Sequence, residues 1–324
     1  MSKQAKKLLI TGGLGFIGSN FIRYLINKYP NYQIINLDIQ NYAGNLENLK
    51  NIESDPNYTF IRGDICDDDL VGRIIKDVDC IVNFAAQTHV DRSISDASDF
   101  IKTNIYGTYV LLEAARRNNI QKYIQISSDE VYGSIDEGSF TEESPLKPNS
   151  PYAASKASAD LLCRSYYITH KLPNIVIRSS NNFGPYQFPE KIIPLFVTNI
   201  LQNKKVPLYG DGRNIRDWLH VEDNCSAIDL IMHNGKIGEV YNVGGGNEIT
   251  NLELVHLILK KLNKPDSFIE FVKDRPGHDL RYSIDSSKVK RLGWQSQYSF
   301  NKALDMTVDW YLNNRDWWKR LKGD

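Results

Sequence analysis

The sequence predicts an α/β fold organised on a doubly wound parallel sheet, with a smaller, interleaved α+β domain. Three observations lead there. Short apolar runs alternate with helix-period segments over the first 180 residues. A glycine cluster follows the first apolar run directly and opens the first helical pattern. Beyond Arg178 the texture changes, with loop chemistry at Ser179-Ser180-Asn181-Asn182 and frequent Pro and Gly up to Gly212.

The first strand is expected over Lys7–Thr11. Gly12-Gly13-Leu14-Gly15-Phe16-Ile17-Gly18 follows and contains G-x-G-x-x-G as Gly13, Gly15 and Gly18, with Gly12 ahead of it. Apolar residues then recur at Ile17, Phe21, Ile22, Leu25 and Ile26, which is helical spacing. Strand, glycine turn and helix together form a pyrophosphate seat, because glycines let the backbone come close and the helix N-terminus favours an anion. The second strand, 33–37, ends in Asp38, about 20 residues past the last glycine, where a ribose-binding carboxylate belongs. Asp38 favours NAD, since a 2′-phosphate beside it would be repelled.

The third strand, Tyr58–Arg62, leads to Asp64, placed either against an adenine ring or as N-cap of a helix over 67–76. A near-continuously apolar fourth strand, 80–84, reads as a central parallel strand. It ends in Ala85-Ala86-Gln87-Thr88-His89, where small residues admit a flat cofactor. His89 either reaches a substrate or caps a loop, and the substrate role is favoured. Residues 100–118 read as a long helix, followed by a strand over 122–128, a helix over 152–170 and a strand over 174–178. These give a dinucleotide-binding domain over 1–180, with a return segment near 215–243, and a second domain mainly over 181–324. Helical patterns at 192–202, 221–233 and 251–262 and an aromatic, amphipathic tail over 301–318 belong to the later part. Trp310, Trp317 and Trp318 are read as packing in that tail. Basic residues on its loops, Lys191, Arg213, Arg216 and Arg275, suit a diphosphate in the cleft between the domains.

Composition sets the outer bounds. The 324 residues suffice for a substantial core, and 41% hydrophobic with 24% charged residues is ordinary for a globular protein. A formal net charge of zero gives no global attraction to nucleic acid or an anionic membrane. Cys66, Cys80, Cys163 and Cys225 lie far apart without a C-x-x-C pair, and are read as buried, reduced thiols of a cytoplasmic protein. The N-terminus reads as a short basic lead-in to a strand, not a signal segment, and no stretch approaches a membrane span. The six histidines show no ligand spacing, so no metal is expected.

The chemistry concentrates between Ser127 and Lys156. The fifth strand delivers Ser127, Ser128, Asp129 and Glu130 to its C-terminal end, and Tyr152-Ala-Ala-Ser-Lys156 opens the next helix. The chain has four Tyr-x-x-x-Lys pairs (Tyr24/Lys28, Tyr152/Lys156, Tyr167/Lys171 and Tyr298/Lys302). Only Tyr152/Lys156 follows a strand end of this kind. At i and i+4 the two side chains share a helix face. Lys156, with a positive nicotinamide ring, is expected to lower the Tyr152 pKa, so that a phenolate takes a proton from an alcohol as hydride leaves for NAD⁺. Ser127 or Ser128 can hydrogen-bond the same oxygen. A plain dehydrogenase has no need of the Asp129-Glu130 doublet. Oxidising a sugar hydroxyl to a ketone acidifies the neighbouring C–H, which a carboxylate removes while a carboxylic acid expels a β-hydroxyl as water; that requires two carboxyls in opposite protonation states.

At these residues the chain resembles the extended short-chain dehydrogenase/reductase family, and within it the TDP-glucose 4,6-dehydratases. The likeness spans nearly the whole chain. It rests on Thr11 to Gly18, Asp38 with Tyr42-Ala43-Gly44-Asn45, Ala85 to His89, Ser127 to Glu130, Tyr152 to Lys156, Ser180 to Lys191, Pro207 to Arg216 and Asp274 to His278. The resemblance implies a Rossmann-type sheet and a hydro-lyase that uses NAD and regenerates it. Tyr152 would deprotonate the C4 hydroxyl, Glu130 remove the C5 proton and Asp129 protonate the C6 hydroxyl, with Lys156 and Ser128 assisting. NAD would be held by Gly12, Gly15, Phe16, Ile17, Gly18, Asp38, Gly44, Asp64, Ile65, Ala85, Ala86, Thr103, Tyr152, Lys156 and Asn181. The nucleotide sugar would be lined by His89, Ser128, Asn182, Glu190, Lys191, Tyr209, Arg216, Asn251, Arg275 and His278. The product would be a TDP-4-keto-6-deoxyglucose for deoxysugar synthesis of the rhamnose type. The helices 100–118 and 152–170 would pair with their copies in a four-helix homodimer interface. Ser128 stands where the family often has Thr, which keeps the hydroxyl; Gln87-Thr88 also departs from the commonest form. Two other readings stay open: a related nucleotide-sugar epimerase or decarboxylase, which usually lacks the Asp-Glu doublet, and a protein that binds NAD or a nucleotide sugar without turnover.

Overall fold

The computed structural model describes residues 6–323; the N-terminal lead-in, apart from Lys6 and Lys7, lies outside them. In chain order the strands are β1 (Lys7–Thr11), β2 (Gln33–Asp38), β3 (Tyr58–Arg62), β4 (Cys80–Asn83), β5 (Lys122–Ser128), β6 (Asn174–Ser179), β7 (Asn181–Phe183), β8 (Val206–Tyr209), β9 (Ile215–His220), β10 (Val240–Val243), β11 (Glu248–Thr250) and β12 (Ile269–Val272). The helices are α1 (Phe16–Lys28), α2 (Asp68–Ile74), α3 (Val90–Ser95), α4 (Ser98–Phe100), α5 (Thr108–Arg117), α6 (Pro151–His170), α7 (Ile192–Leu201), α8 (Val221–Asn234), α9 (Asn251–Lys261), α10 (Ser287–Arg291), α11 (Phe300–Asn313) and α12 (Arg315–Lys322).

Seven parallel strands form the main sheet in the order β10-β6-β5-β4-β1-β2-β3. The chain runs outward from β1 to β3, then returns to β4 on the other side of β1. That reversal is the switch point of a doubly wound Rossmann-type sheet, and the crevice above it is where such sheets take ligands. The central strands are apolar because helices cover both faces. On one face Phe21, Ile22 and Leu25 of α1 pack with Ile228 and Ile231 of α8. On the other, Val71 of α2, Val110 and Leu111 of α5 and Cys163 of α6 form a second core. A third core joins Phe183, Phe196, Trp218, Leu254, Leu304 and Trp318. Around it lie a mixed three-stranded sheet, β11-β9-β7, and a parallel pair, β12-β8. Within 215–243, β9 lies in the three-stranded sheet, whereas α8 covers the main sheet and β10 extends it.

Several local expectations differ from the outcome. The helix over 100–118 is interrupted: α4 passes into a π-helical stretch, Ile101–Gly107, before α5. Asn104 explains how this stretch is held. Its Nδ2 donates to the Gln87 carbonyl (3.0 Å) and to Ser155 Oγ (2.8 Å), and its Oδ1 accepts from the Gln87 N–H (2.8 Å), tying the end of β4 to α6. The tail is two helices, α11 and α12, joined through Asn314. Trp318 is buried, and Trp317 Nε1 donates to Asn48 Oδ1 (2.9 Å), so the tail's indoles pack and anchor it. All four cysteines are free thiols; Cys80, Cys163 and Cys225 are buried, but Cys66 is only partly so, its Sγ 3.4 Å from the Lys102 carbonyl. Among the described residues no helix is long and apolar enough to cross a membrane.

Candidate active site

A cavity of about 510 Å³ opens over the switch point. This volume falls within the range of small-molecule and cofactor sites. Its wall begins at the β1–α1 turn, with Gly12, Gly15, Phe16, Ile17 and Gly18. Gly12 has φ +69°, and a Cβ on it would lie 2.6 Å from the Ala85 N, so the turn and the β4 end touch backbone to backbone. A Cβ on Gly18 would lie 2.4 Å from the Gly12 carbonyl oxygen. Gly13, by contrast, faces Asn36 and Ile22 and is absent from the lining, so the residues bordering the space are Gly12, Gly15 and Gly18. The α1 N-cap, Gly15, offers no side-chain cap, leaving the first N–H groups of the helix to a ligand.

Asp38 ends β2 beside this turn. Its Oδ2 accepts from the Leu14 N–H (2.9 Å) and its Oδ1 from the Gln40 N–H (2.7 Å). Each oxygen keeps a lone pair for a ribose hydroxyl. Burial raises the Asp38 pKa, and the two backbone donors oppose that rise. Gly44, Asp64, Ile65, Ala85, Ala86, Thr103 and Asn181 complete this half of the wall. Asp64 is not the α2 cap: that is Asp67, which accepts from the Leu70 N–H (2.9 Å), while Asp64 accepts from the Cys66 N–H (2.9 Å) and faces Lys102 at 3.8 Å.

Ser127, Ser128, Asp129, Glu130, Tyr152 and Lys156 border the same cavity. Ser128 closes the turn after β5: its Oγ accepts from the Glu130 N–H (3.2 Å) and lies 3.2 Å from Asp129 Oδ1. Tyr152 is placed by the start of α6, where Ser150 Oγ accepts from the Ala153 N–H (3.1 Å) and Pro151 follows. The two neighbouring carboxyls sit in different environments. Asp129 is buried, and burial, then the Glu130 charge, pushes its pKa well up. Burial raises Glu130 as well, but Arg216, Arg275 and Lys191 pull against the rise.

The expected lowering of the Tyr152 pKa combined Lys156 with a positive nicotinamide ring. The protein's own groups push Tyr152 up, burial first and the Glu130 carboxylate second, with the Ser128 hydroxyl opposing. The Lys156 ammonium donates to the Ile126 carbonyl. Burial lowers Lys156 to about 8, against the pull of Asp160. Asp160 is itself buried and paired with Arg178 Nε at 2.9 Å, an arrangement the sequence offered no signal for beyond its i+4 spacing from Lys156.

Of the residues expected at the nucleotide sugar, Ser128, Asn182, Glu190 and Lys191 border the cavity, and the other six do not. His89 caps α3, its Nδ1 accepting from the Arg92 N–H (3.4 Å), and its Nε2 lies 3.6 Å from Glu190, which borders the cavity. Arg275 pairs with Asp91 (3.3 Å), which also accepts from the Tyr209 hydroxyl (3.3 Å). His278 Nδ1 lies 2.6 Å from Asp274 Oδ1. Arg216 packs over the Tyr282 ring at 4.2 Å, and Asn251 begins α9. Asn41, Ala43, Thr88, Gln187 and Phe188 also line the cavity and were not named as site residues; Ala43, Thr88, Gln187 and Phe188 lie within stretches already singled out, and Asn41 stands just before one of them. Asp129 Oδ2, Asn181 Oδ1 and Asn182 Oδ1 are buried without a protein partner, as befits groups that meet a ligand.

Comparison with known proteins bears on this site. Residues 9–307 match the family model described as GDP-mannose 4,6-dehydratase. A dTDP-glucose 4,6-dehydratase of Streptomyces niveus is 51% identical over 321 residues, covering 98% of this chain and 96% of that protein. The crystal structure of the Streptomyces venezuelae dTDP-glucose 4,6-dehydratase, solved with NAD bound, superposes with a TM-score of 0.96 at 51% identity, over 97% of this chain and 99% of that one. That of the Bacillus anthracis dTDP-glucose 4,6-dehydratase in complex with NAD gives 0.93 at 52% identity, over 98% and 100%. The chain belongs to the GDP-mannose 4,6-dehydratase family.

Proposed function

We propose that this protein is a TDP-glucose 4,6-dehydratase, a hydro-lyase that converts TDP-glucose to TDP-4-keto-6-deoxyglucose and water with NAD as a regenerated cofactor. The observation that carries the reading is one cavity holding both a dinucleotide cradle and two adjacent carboxyls whose surroundings separate their titration. NAD, when bound, accepts a hydride and later returns it. Gly12, Gly15, Gly18 and Asp38 are the groups that hold it, since the turn has no room for side chains and the Asp38 oxygens retain free lone pairs.

The chain's own residues then divide the proton work. Tyr152 takes the proton of the C4 hydroxyl, with the Ser128 hydroxyl lowering its pKa toward that task. Glu130, with Arg216, Arg275 and Lys191 favouring its charged form, removes the C5 proton. Asp129, whose carboxyl burial pushes well up, gives its proton to the departing C6 hydroxyl, and C5 afterwards takes up a proton in place of the one Glu130 removed. Arg216 and Arg275 lie near enough to Glu130 to act on its charge, which suits a diphosphate held next to the reacting sugar.

The nucleotide-binding unit comprises residues 1–180 with α8 and β10, and the remainder closes over the sugar. The protein acts as a homodimer through α5 and α6 with the preceding π stretch. Supporting this, Ile101 (56% exposed), Tyr106 (49%), Leu161 (57%) and Ile168 (50%) stand on these elements as apolar surface. A cytoplasmic setting, and a product that feeds deoxysugar synthesis of the rhamnose type, fit the NAD and nucleotide-sugar chemistry. Mass spectrometry after incubation with TDP-glucose tests the reading, with Glu130→Gln and UDP-glucose as controls. A product lighter by one water, with NAD unconsumed, supports it. A product of unchanged mass and altered C4 configuration would replace it with an epimerase.

A further inference from the structure

Arg178 is buried on β6, and no step above uses it. A guanidinium carries five N–H donors in one plane and no acceptor, so a buried one needs partners on more than one side. Here the partners come from two different elements. Nε donates to Asp160 Oδ2 at 2.9 Å, and Asp160 stands one helical turn beyond Lys156 on α6. Nη1 donates to the Tyr132 hydroxyl at 2.7 Å, with the guanidinium 4.8 Å from the centre of the Tyr132 ring. Tyr132 closes the 3-10 turn, Asp129–Tyr132, that carries the two carboxyls. Having accepted from Arg178, the Tyr132 hydroxyl donates to Asn242 Oδ1 at 2.8 Å, and Asn242 is the register partner of Arg178 on β10. Phe140 stacks on the Tyr132 ring at 5.0 Å. Asp160, Tyr132 and Asn242 are all buried, so water does not compete for these bonds.

A buried ion pair is a poor source of stability, because desolvation offsets most of its attraction. What the fork of an arginine supplies is one permitted geometry. We propose that Arg178 is a positioning residue that locks the turn bearing Asp129 and Glu130 to the helix bearing Tyr152 and Lys156. The inference rests on the dehydratase reading, in which those two pairs act on neighbouring carbons of one sugar and must keep a fixed separation. Ser127, at the end of β5, is the register partner of Arg178, so the fork lies directly behind the strand end that feeds the site. Its Asp160 branch reaches the chemistry through Lys156, on which the Asp160 charge acts. Its Tyr132 branch reaches the chemistry through the backbone of the turn. Oxidation at C4 belongs to Tyr152 and Lys156, and elimination across C5 and C6 belongs to the doublet. Cutting one branch therefore disturbs one step and spares the other.

The test compares Tyr132→Phe and Asp160→Asn with wild type, each as the NAD-loaded protein. Tyr132→Phe removes only the hydroxyl of one branch and keeps the ring under the guanidinium. Asp160→Asn keeps the shape and one acceptor of the other branch and removes its charge. Arg178 itself is left in place, because deleting it would strand a buried carboxylate and endanger the fold. Two readouts are taken well below the melting temperatures of all three proteins: steady-state turnover of TDP-glucose, and the absorbance of reduced cofactor during a single turnover. In Tyr132→Phe, kcat is expected to fall about ten- to hundredfold with reduced cofactor accumulating, because oxidation outruns a misplaced doublet. In Asp160→Asn, a fall of similar size is expected without accumulation, because oxidation itself is slowed. Opposite cofactor signals support the inference, since general loosening of the core would act on both variants alike. An unchanged kcat in either variant, the same cofactor signal in both, or an effect confined to KM would each overturn it. Wild-type protein that leaves TDP-glucose unchanged would defeat the dehydratase reading and this inference with it, whereas an active wild type whose variants show no such split would sink the inference alone.

Discussion

At the scale of single residues, the proposed mechanism asks one dipeptide, Asp129-Glu130, to hold an acid and a base. The two carboxyls differ in what surrounds them. Asp129 is buried with Glu130 and Asp217 as the charges raising it, whereas Glu130 faces three cations. Asp129→Asn cannot supply the proton for the leaving hydroxyl, so kcat is expected to fall roughly 10²- to 10⁴-fold with little change in KM, and reduced cofactor should build up in a single turnover. The same substitution should stabilise the fold at neutral pH. Because the folded pKa of Asp129 is raised, the unfolded chain releases its proton at lower pH than the folded one, so stability falls as pH climbs from the unfolded value toward the folded value. Asparagine removes that dependence, and a higher melting temperature at pH 7 than at pH 4, each relative to wild type, is the measurement. Lys156 sets a further limit: buried and lowered to about 8, it loses its charge above that pH, so kcat should decline on the alkaline side near there. Replacing Asp160, whose charge raises Lys156, should move that decline to lower pH.

At the scale of elements, the site depends on how strands and helices begin and end. The β1–α1 turn touches the end of β4 at Gly12, and Gly12→Ala would add both a left-handed backbone strain and a 2.6 Å clash with Ala85. A cost of about 1–3 kcal/mol is expected from the strain alone, and NAD content after gel filtration should drop sharply. At the other side, Ser150 caps α6 two residues before Tyr152. Ser150→Ala should lower stability by about 1 kcal/mol in urea unfolding, and lower kcat as well, because the frayed turn carries the phenol. The π stretch Ile101–Gly107 has the same logic: Asn104 spends its amide on Gln87 and Ser155, so the β4 loop, Thr103 and α6 are held to one another across the cavity.

At the scale of the whole molecule, segments distant in sequence are tied together by polar contacts at the cavity mouth. Glu190 meets Arg92 (3.1 Å) and accepts from the Tyr42 hydroxyl (3.2 Å), and Arg275 meets Asp91, so α3 and the loop after β2 are tied to the segment before α7 and the loop after β12. Exposed Leu161 and Ile168 lie seven residues apart on α6, on one helix face. Leu161→Asp should convert a dimer to monomers, as read by light scattering during size-exclusion chromatography; a monomeric wild type would remove the dimer from the account.

The main sheet was legible in the sequence because its signals are local. A run such as Leu8-Leu9-Ile10 can only be a strand buried on both faces, and Gly12 to Gly18 must turn before a helix, so β1 and β3 fall where the residues place them. The placement of Asp38, Ser127 to Glu130 and Tyr152 to Lys156 at one cavity follows from that topology, since parallel strands bring their C-terminal ends to one edge. The strands β7, β8, β9, β11 and β12 have three to six residues and carry little periodicity of their own; they exist through partners distant in sequence. Electrostatics belonged to the tertiary structure altogether. Residue types name acids, bases and cations, but burial decides that the protein's own groups push Tyr152 up, and distance decides that Tyr282, 152 positions from Glu130, lies beside it. A pKa depends on desolvation and on charges within a few ångströms, and neither quantity exists until the chain has folded.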